Sequence, residues 1–96
     1  MELGYGGLRL DRNDSPPRKT TFRLEGRLGP PELEMVRQNV EPSLGSGREI
    51  EIDLRDLRFL DEHGAQLLRA LRERGAVLSN AGGFVKELLR VMETER

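Results

Sequence analysis

The chain has 96 residues and a net charge of −1, with 35% of its residues hydrophobic and 34% charged, which leaves material for one aliphatic core and no second. Basic and acidic residues interleave, and Tyr5, Phe22, Phe59 and Phe84 are the only aromatics, so neither an attracting field nor a stacking platform for nucleic acid is available. Cysteine is absent, which excludes disulfides, thiol nucleophiles and thiolate metal sites.

No apolar window has the length to cross a bilayer, and MELGYGGLRLDR lacks the pattern of a secretory signal. A soluble cytoplasmic protein, folded as a single domain over 1–96, is the expectation.

In chain order, Gly4-Tyr5-Gly6-Gly7 precedes a short alternating run, Leu8-Arg9-Leu10, that reads as a first strand. Arg12 to Lys19 holds Asn, Asp, Ser and two prolines and reads as a loop. Thr20 to Leu28 is a stronger strand, with Phe22, Leu24 and Leu28 on one face and Thr21, Arg23, Glu25 and Arg27 on the other. Gly26 falls among the inward positions, where a neighbouring element can come close. After Gly29-Pro30-Pro31, the residues Leu33, Val36, Val40 and Leu44 recur at helical spacing, which predicts a helix from about Pro31 to Glu41 that Pro42 bends or ends.

The central stretch runs from Glu49 to Leu71. Ile50, Ile52 and Leu54 alternate with Glu51 and Asp53 as in a half-buried strand. Further on, Gly64, Leu67, Leu68, Leu71 and Gly75 line one stripe of a helix that ends in Arg72-Glu73-Arg74-Gly75, as the helix dipole and a left-handed cap prefer. Ala76-Val77-Leu78 is a brief strand, and Ser79 to Gly83 turns into a last helix striped by Phe84, Val85, Leu88, Leu89 and Met92. The tail from Glu93 to Arg96 is polar and expected to fray. Strands alternating with helices predict an α/β fold: a single mixed, largely parallel β-sheet. Polar residues on one face of two strands predict helices over the other face only, leaving Arg23, Glu25, Glu51 and Asp53 open.

The junction Asp61-Glu62-His63-Gly64 is where a working surface is expected. Asp61 suits an N-cap, with its carboxylate accepting from free N–H groups of the helix, or it could position a partner's side chain. His63 beside two acids suggests acid–base chemistry or one leg of a metal site, but it is the only histidine and no nucleophile or ligand set accompanies it. No catalytic residue, metal or cofactor is therefore assigned. Ala81-Gly82-Gly83 has the strand-to-helix context for holding a phosphate through backbone N–H groups, but the run is short and a glycine turn explains it adequately. Arg69, Arg72 and Arg74 read as a partner interface or a solvated face.

The run IDLRDLRFLDEHGAQLLRAL, with the Gly75–Asn80 segment and the Phe84-Val85 helix after it, resembles a STAS domain, the fold of bacterial anti-sigma-factor antagonists and of sulfate-transporter cytoplasmic tails. Phe22-Arg23-Leu24-Glu25-Gly26-Arg27-Leu28 is similar to the family's early strand, and the resemblance spans about Phe22 to Leu89. Antagonists of this kind usually carry Asp-Ser-Ser-Gly at the start of the helix, and the serine before the glycine is phosphorylated by a switch-kinase partner. Here Asp61 and Gly64 remain, while the two positions between them are Glu62 and His63.

The resemblance thus implies a non-enzymatic domain that binds an anti-sigma-factor or switch-kinase type of protein without serine phosphorylation control. Its contact residues would be Asp61, Glu62, His63, Gly64, Arg69, Ser79 and Asn80. An accessory subunit of an ABC-type membrane transporter, or a small-ligand or nucleotide-binding module, are the alternatives.

Overall fold

The structure is a computed structural model describing residues 2–94, with side chains through residue 91. The elements in order are β1 (Glu2–Tyr5), β2 (Leu8–Ser15), β3 (Lys19–Leu28), α1 (Leu33–Leu44), β4 (Glu49–Leu60), α2 (Glu62–Glu73), β5 (Val77–Ser79) and α3 (Gly83–Thr94), with a 3-10 turn at Pro30–Glu32 before α1. Met92 in the last apolar stripe and the tail from Glu93 to Arg96 lie outside the residues whose side chains are described.

Strand order in the sheet follows chain order, β1-β2-β3-β4-β5. Tight turns join the first three strands, which are therefore antiparallel; helices α1 and α2 carry the chain across to β4 and β5, which are parallel to β3. Two crossovers of one hand that advance in the same direction must lie on the same side of the sheet. This is why one face is covered and the other open, as the strand patterning predicts.

The covered face holds the core. Leu8, Leu10, Phe22, Leu24, Leu28, Ile50, Ile52 and Leu54 from the sheet meet Val36, Val40, Ala65, Leu68, Leu71, Val85 and Leu89 from the helices. In β4 the buried positions change from every second residue to every third: Leu54, Leu57 and Leu60. Register explains it, since Arg23 pairs with Asp53 but Glu25 with Asp56, and Gly26 pairs with Leu57 but Arg27 with Phe59. Each bulge inserts one residue and flips the faces that follow.

Three local readings of the sequence are corrected. The Gly-rich start contains a strand, Glu2–Tyr5, paired with β2. The segment from Arg12 to Ser15 is not loop but the end of β2, because its polar side chains find partners across the sheet. The Thr20 hydroxyl donates to Asp14 at 2.7 Å, Arg48 Nε donates to that hydroxyl at 2.7 Å, and the Arg12 guanidinium lies 5.7 Å from the centre of the Phe22 ring. Lastly, Pro42 lies inside α1, which continues to Leu44 and is closed by the Ser46 hydroxyl donating to the Ser43 carbonyl at 2.6 Å.

Glu32 ties the turn between β1 and β2 to the segment that follows β3. It is 3% exposed, and its carboxylate accepts from Gly29 N at 3.0 Å and from Gly7 N at 3.1 Å, so one side chain holds the β1–β2 turn to the entry of α1. Close by, Arg27 N donates to the Gly7 carbonyl at 2.9 Å. Gly26 has φ +108°, and a Cβ there would stand 2.2 Å from the same Gly7 oxygen. The close approach expected at Gly26 is thus to the turn before β2. Replacing Glu32 with alanine leaves the buried Gly29 N–H unpaired and releases the exposed Gly7 turn, and urea unfolding should show a loss of about 1–3 kcal/mol at an unchanged m-value.

Candidate functional site

The rim at the start of α2 is built from the inside outward. Asp61 is extended (φ −99°, ψ −173°), and its carboxylate accepts from Gly64 N at 2.9 Å, the N-cap that the sequence suggests. Asp61 N donates to the Leu28 carbonyl at 3.4 Å, which moors the cap to the end of β3. Gly64 is buried, and a Cβ on it would lie 2.5 Å from that same Leu28 oxygen. The close approach that the sequence reading expected toward a partner is here to this chain's own strand, which makes Gly64 a packing joint. Glu62 and His63 are exposed, held outward by the buried stripe of Gly64, Ala65, Leu67, Leu68 and Leu71. His63 borders a groove of about 360 Å³ between α1 and α2, with Leu33, Arg37, Glu41, Gln66 and Ala70.

The remaining expected contact residues do not join that rim. Arg69 keeps only 14% of its side chain exposed and lies 3.7 Å from Glu73 on the same helix. Ser79 sits opposite Asp53 in the parallel register. With about 3.3 Å of rise per residue, the rest of β4 puts on the order of 20 Å between that pair and Asp61. Ser79 and Asn80 belong instead to the open face, where the Ser79 hydroxyl donates to Glu51 at 2.5 Å and the Asn80 amide donates to Asp53 at 3.1 Å. Arg72 and Asn80 border a cleft of about 560 Å³ beside α3. Arg90 in that cleft is paired with Glu87, and the Asn80 amide is engaged by Asp53.

Charges on the open face are paired across strands. Arg9 bridges Glu2 (3.2 Å) and Glu25 (2.5 Å), and Arg23 meets Asp56 at 2.6 Å. Lys19 meets Glu51 at 2.8 Å. The Lys19 and Ser79 hydrogen bonds hold the Glu51 carboxyl below the ordinary value of 4.5. Burial pushes Asp53 up, but the Arg55 N–H and the Asn80 amide outweigh it and leave that carboxyl below its usual range.

What the sequence reading misses is aromatic. Phe84, expected in the buried stripe of the last helix, is 55% exposed, while Val85 and Leu89 turn inward. Its ring stacks on Phe59, with centroids 5.9 Å apart and planes at 15°. The Arg27 guanidinium lies 5.5 Å from the centre of the Phe59 ring. Phe59 is two residues ahead of Asp61, so the aromatic pair extends the α2 rim. Alternation counted from Ile50 already turns Phe59 outward, because the two bulges cancel; its stacking on Phe84 is what the sequence does not signal.

Among the described residues, no group of three or more His, Cys, Asp or Glu side chains stands close enough to hold a metal, and no helix is long and apolar enough to cross a membrane. Comparison with known families matches residues 12–96 to the family described as "Mlab, STAS domain". The chain belongs to the STAS family.

Its fold is that of solved relatives. The anti-sigma factor antagonist SpoIIAA in its unphosphorylated form superposes with a TM-score of 0.72 at 17% identity, over 88% of this chain and 80% of that one. The Bacillus cell fate determinant SpoIIAA in the phosphorylated form gives 0.69 at 16%, over 86% and 82%. A SpoIIAA-like protein of the DUF3478 family from Shewanella loihica PV-4 gives 0.57 at 19%, over 99% and 84%. No match was found among curated proteins. At such identities what is shared is the five-stranded mixed sheet with helices on one face, the architecture that the sequence resemblance implies.

Two measurements check this construction. Asp61→Ala should cost about 1 kcal/mol in chemical unfolding and Asp61→Ser much less, because either oxygen can cap. For Glu51, a folded-state pKa below the ordinary value means that its contribution is present above pH 4.5 and is lost as pH falls through the folded-state value. Glu51→Gln should therefore flatten the acid side of a plot of melting temperature against pH.

Proposed function

We propose that this STAS domain is a non-enzymatic regulator of the anti-sigma-factor-antagonist kind, working by contact with a protein partner of the anti-sigma-factor or switch-kinase type in the cytoplasm. The observation that carries this reading is the α2 rim: a helix start capped by Asp61, seated on Leu28 through Gly64, that turns Glu62 and His63 to solvent. In the antagonists that the chain resembles, these two positions are serines and the second of them takes the phosphate.

Neither Glu62 nor His63 offers a hydroxyl, so partner binding here is not gated by serine phosphorylation at this point. Glu62 places a fixed negative charge in the first turn of α2, where the helix dipole favours it. A phosphoserine would add nearly two charges and three acceptor oxygens, so Glu62 reproduces part of its field and little of its hydrogen bonding. The partner surface on this reading consists of Asp61, Glu62 and His63; Arg69, Ser79 and Asn80 stay behind as supports of α2 and of the open face.

Glu62→Lys tests the assignment, since it reverses an exposed charge without touching the core. The melting temperature should change by no more than about 2 °C, a surface effect within roughly 0.5 kcal/mol. Affinity for the protein that co-purifies from the source cell should change by roughly tenfold, as measured by calorimetry. Equal affinity would remove the rim from the interface. Recovery of a transporter ATPase as the co-purifying protein would assign the chain to a transporter instead. Incubation with the partner and ATP should leave residues 61–64 unmodified by mass spectrometry.

A further inference from the structure

Three of the four aromatic side chains are on the surface: Tyr5, Phe59 and Phe84. Only Phe22 contributes to the core. Phe59 and Phe84 come from β4 and α3, yet they stack on each other while remaining 44% and 55% exposed. Burying either ring inside the chain would have been worth more to stability than leaving the pair half in water. Arg27 then lays a cation on the same patch. Exposed aromatic rings joined to an arginine are the composition of binding hot spots rather than of ordinary surface.

Charge decides what can cover the patch. Four carboxylates on the flanking segments are already engaged, Asp56 by Arg23, Glu25 by Arg9, Glu32 by two backbone N–H groups and Asp61 by Gly64 N, which leaves Glu62 at the margin. Among the described residues neither Arg27 nor Arg58, the latter next to Phe59 in the chain, has a carboxylate partner. A purely apolar surface pressed onto the rings would strip water from the Arg27 guanidinium and leave it unpaired. A second copy meeting this patch about a two-fold axis would set arginine against arginine. An anionic bilayer would satisfy the arginines but be repelled by Glu62, which has no cationic partner among the described residues.

Resting on the reading of the rim as a protein-docking surface, we infer that Phe59, Phe84 and Arg27 are its anchor, and that the occupant is a protein segment presenting an aspartate or glutamate beside a large apolar side chain. The apolar side chain covers the rings, and the carboxylate pairs with Arg27 or Arg58. Glu62 then acts at the margin, discriminating between partners more than holding them.

Site-specific photo-crosslinking in the source cell tests this. A benzophenone-bearing phenylalanine is placed at position 84 in one strain and at position 62 in another, each in the full chain. The expected result is a crosslink from position 84 to a partner peptide containing Asp or Glu next to an apolar residue, with a yield that falls roughly tenfold in an Arg27→Glu background. Arg58→Glu serves as a second charge reversal should Arg27→Glu lower the melting temperature. A crosslink from position 62 but none from 84 overturns the anchor and leaves the docking reading standing. No crosslink from either position overturns both. A crosslink from 84 to another copy of this chain, or to a segment without an acid, overturns the occupant; so does binding of the purified chain to phosphatidylglycerol vesicles that Phe84→Ser abolishes.

Discussion

The seat of α2 on the end of β3 is the constraint from which the rest of the rim follows. Gly64 brings the helix so near the Leu28 carbonyl that no side chain could stand between them, and Asp61 N reaches back to the same oxygen. Because the helix is pinned there, Asp61 can cap it in one geometry, and the residues between cap and glycine are left facing outward. Without that contact α2 would ride higher on the sheet, and Leu67, Leu68 and Leu71 would lose their fit against β4. A glycine that looks like an invitation to a partner is thus the joint that turns its neighbours to solvent.

The two faces of the sheet carry different kinds of information. The covered face is aliphatic and closed. The open face is charged, but its acids and bases are matched across strands, and the Glu51 and Asp53 carboxyls are held below their usual values by hydrogen bonds from within the fold. Exposed ion pairs of this kind contribute little energy each, yet together they leave few charges available to an outside ligand. The end of the sheet where β3 and β4 finish is different, because there the arginines and the aromatic rings outnumber the groups able to satisfy them.

Strand and helix identity were readable wherever a hydrophobic period persisted. Ile50, Ile52 and Leu54 marked β4; Leu67, Leu68 and Leu71 marked α2; and the polar partners of β3 and β4 told that one face would stay bare. The N-cap at Asp61 was readable too, because capping depends on residues three apart in the chain. Where the reading went astray, the deciding partner was distant in sequence. Asn13, Asp14 and Ser15 have turn-like composition, but Thr20 and Arg48 give their surroundings a hydrogen-bonded network that lets β2 run on. Pro42 ends many helices; here α1 continues for two residues past it.

The sequence by itself determined the family, the alternation of strands and helices, the bare face and the Glu62-His63 pair at the start of α2, because each of these is written in neighbouring residue types. Only the tertiary structure decided which residues share a surface. The path of the chain after β5 carried Phe84 onto Phe59, and the length of β4 beyond Asp53 parted Ser79 and Asn80 from Asp61. Periodicity reports which way a side chain points relative to its own strand; it carries no record of inserted residues or of where a connecting loop returns.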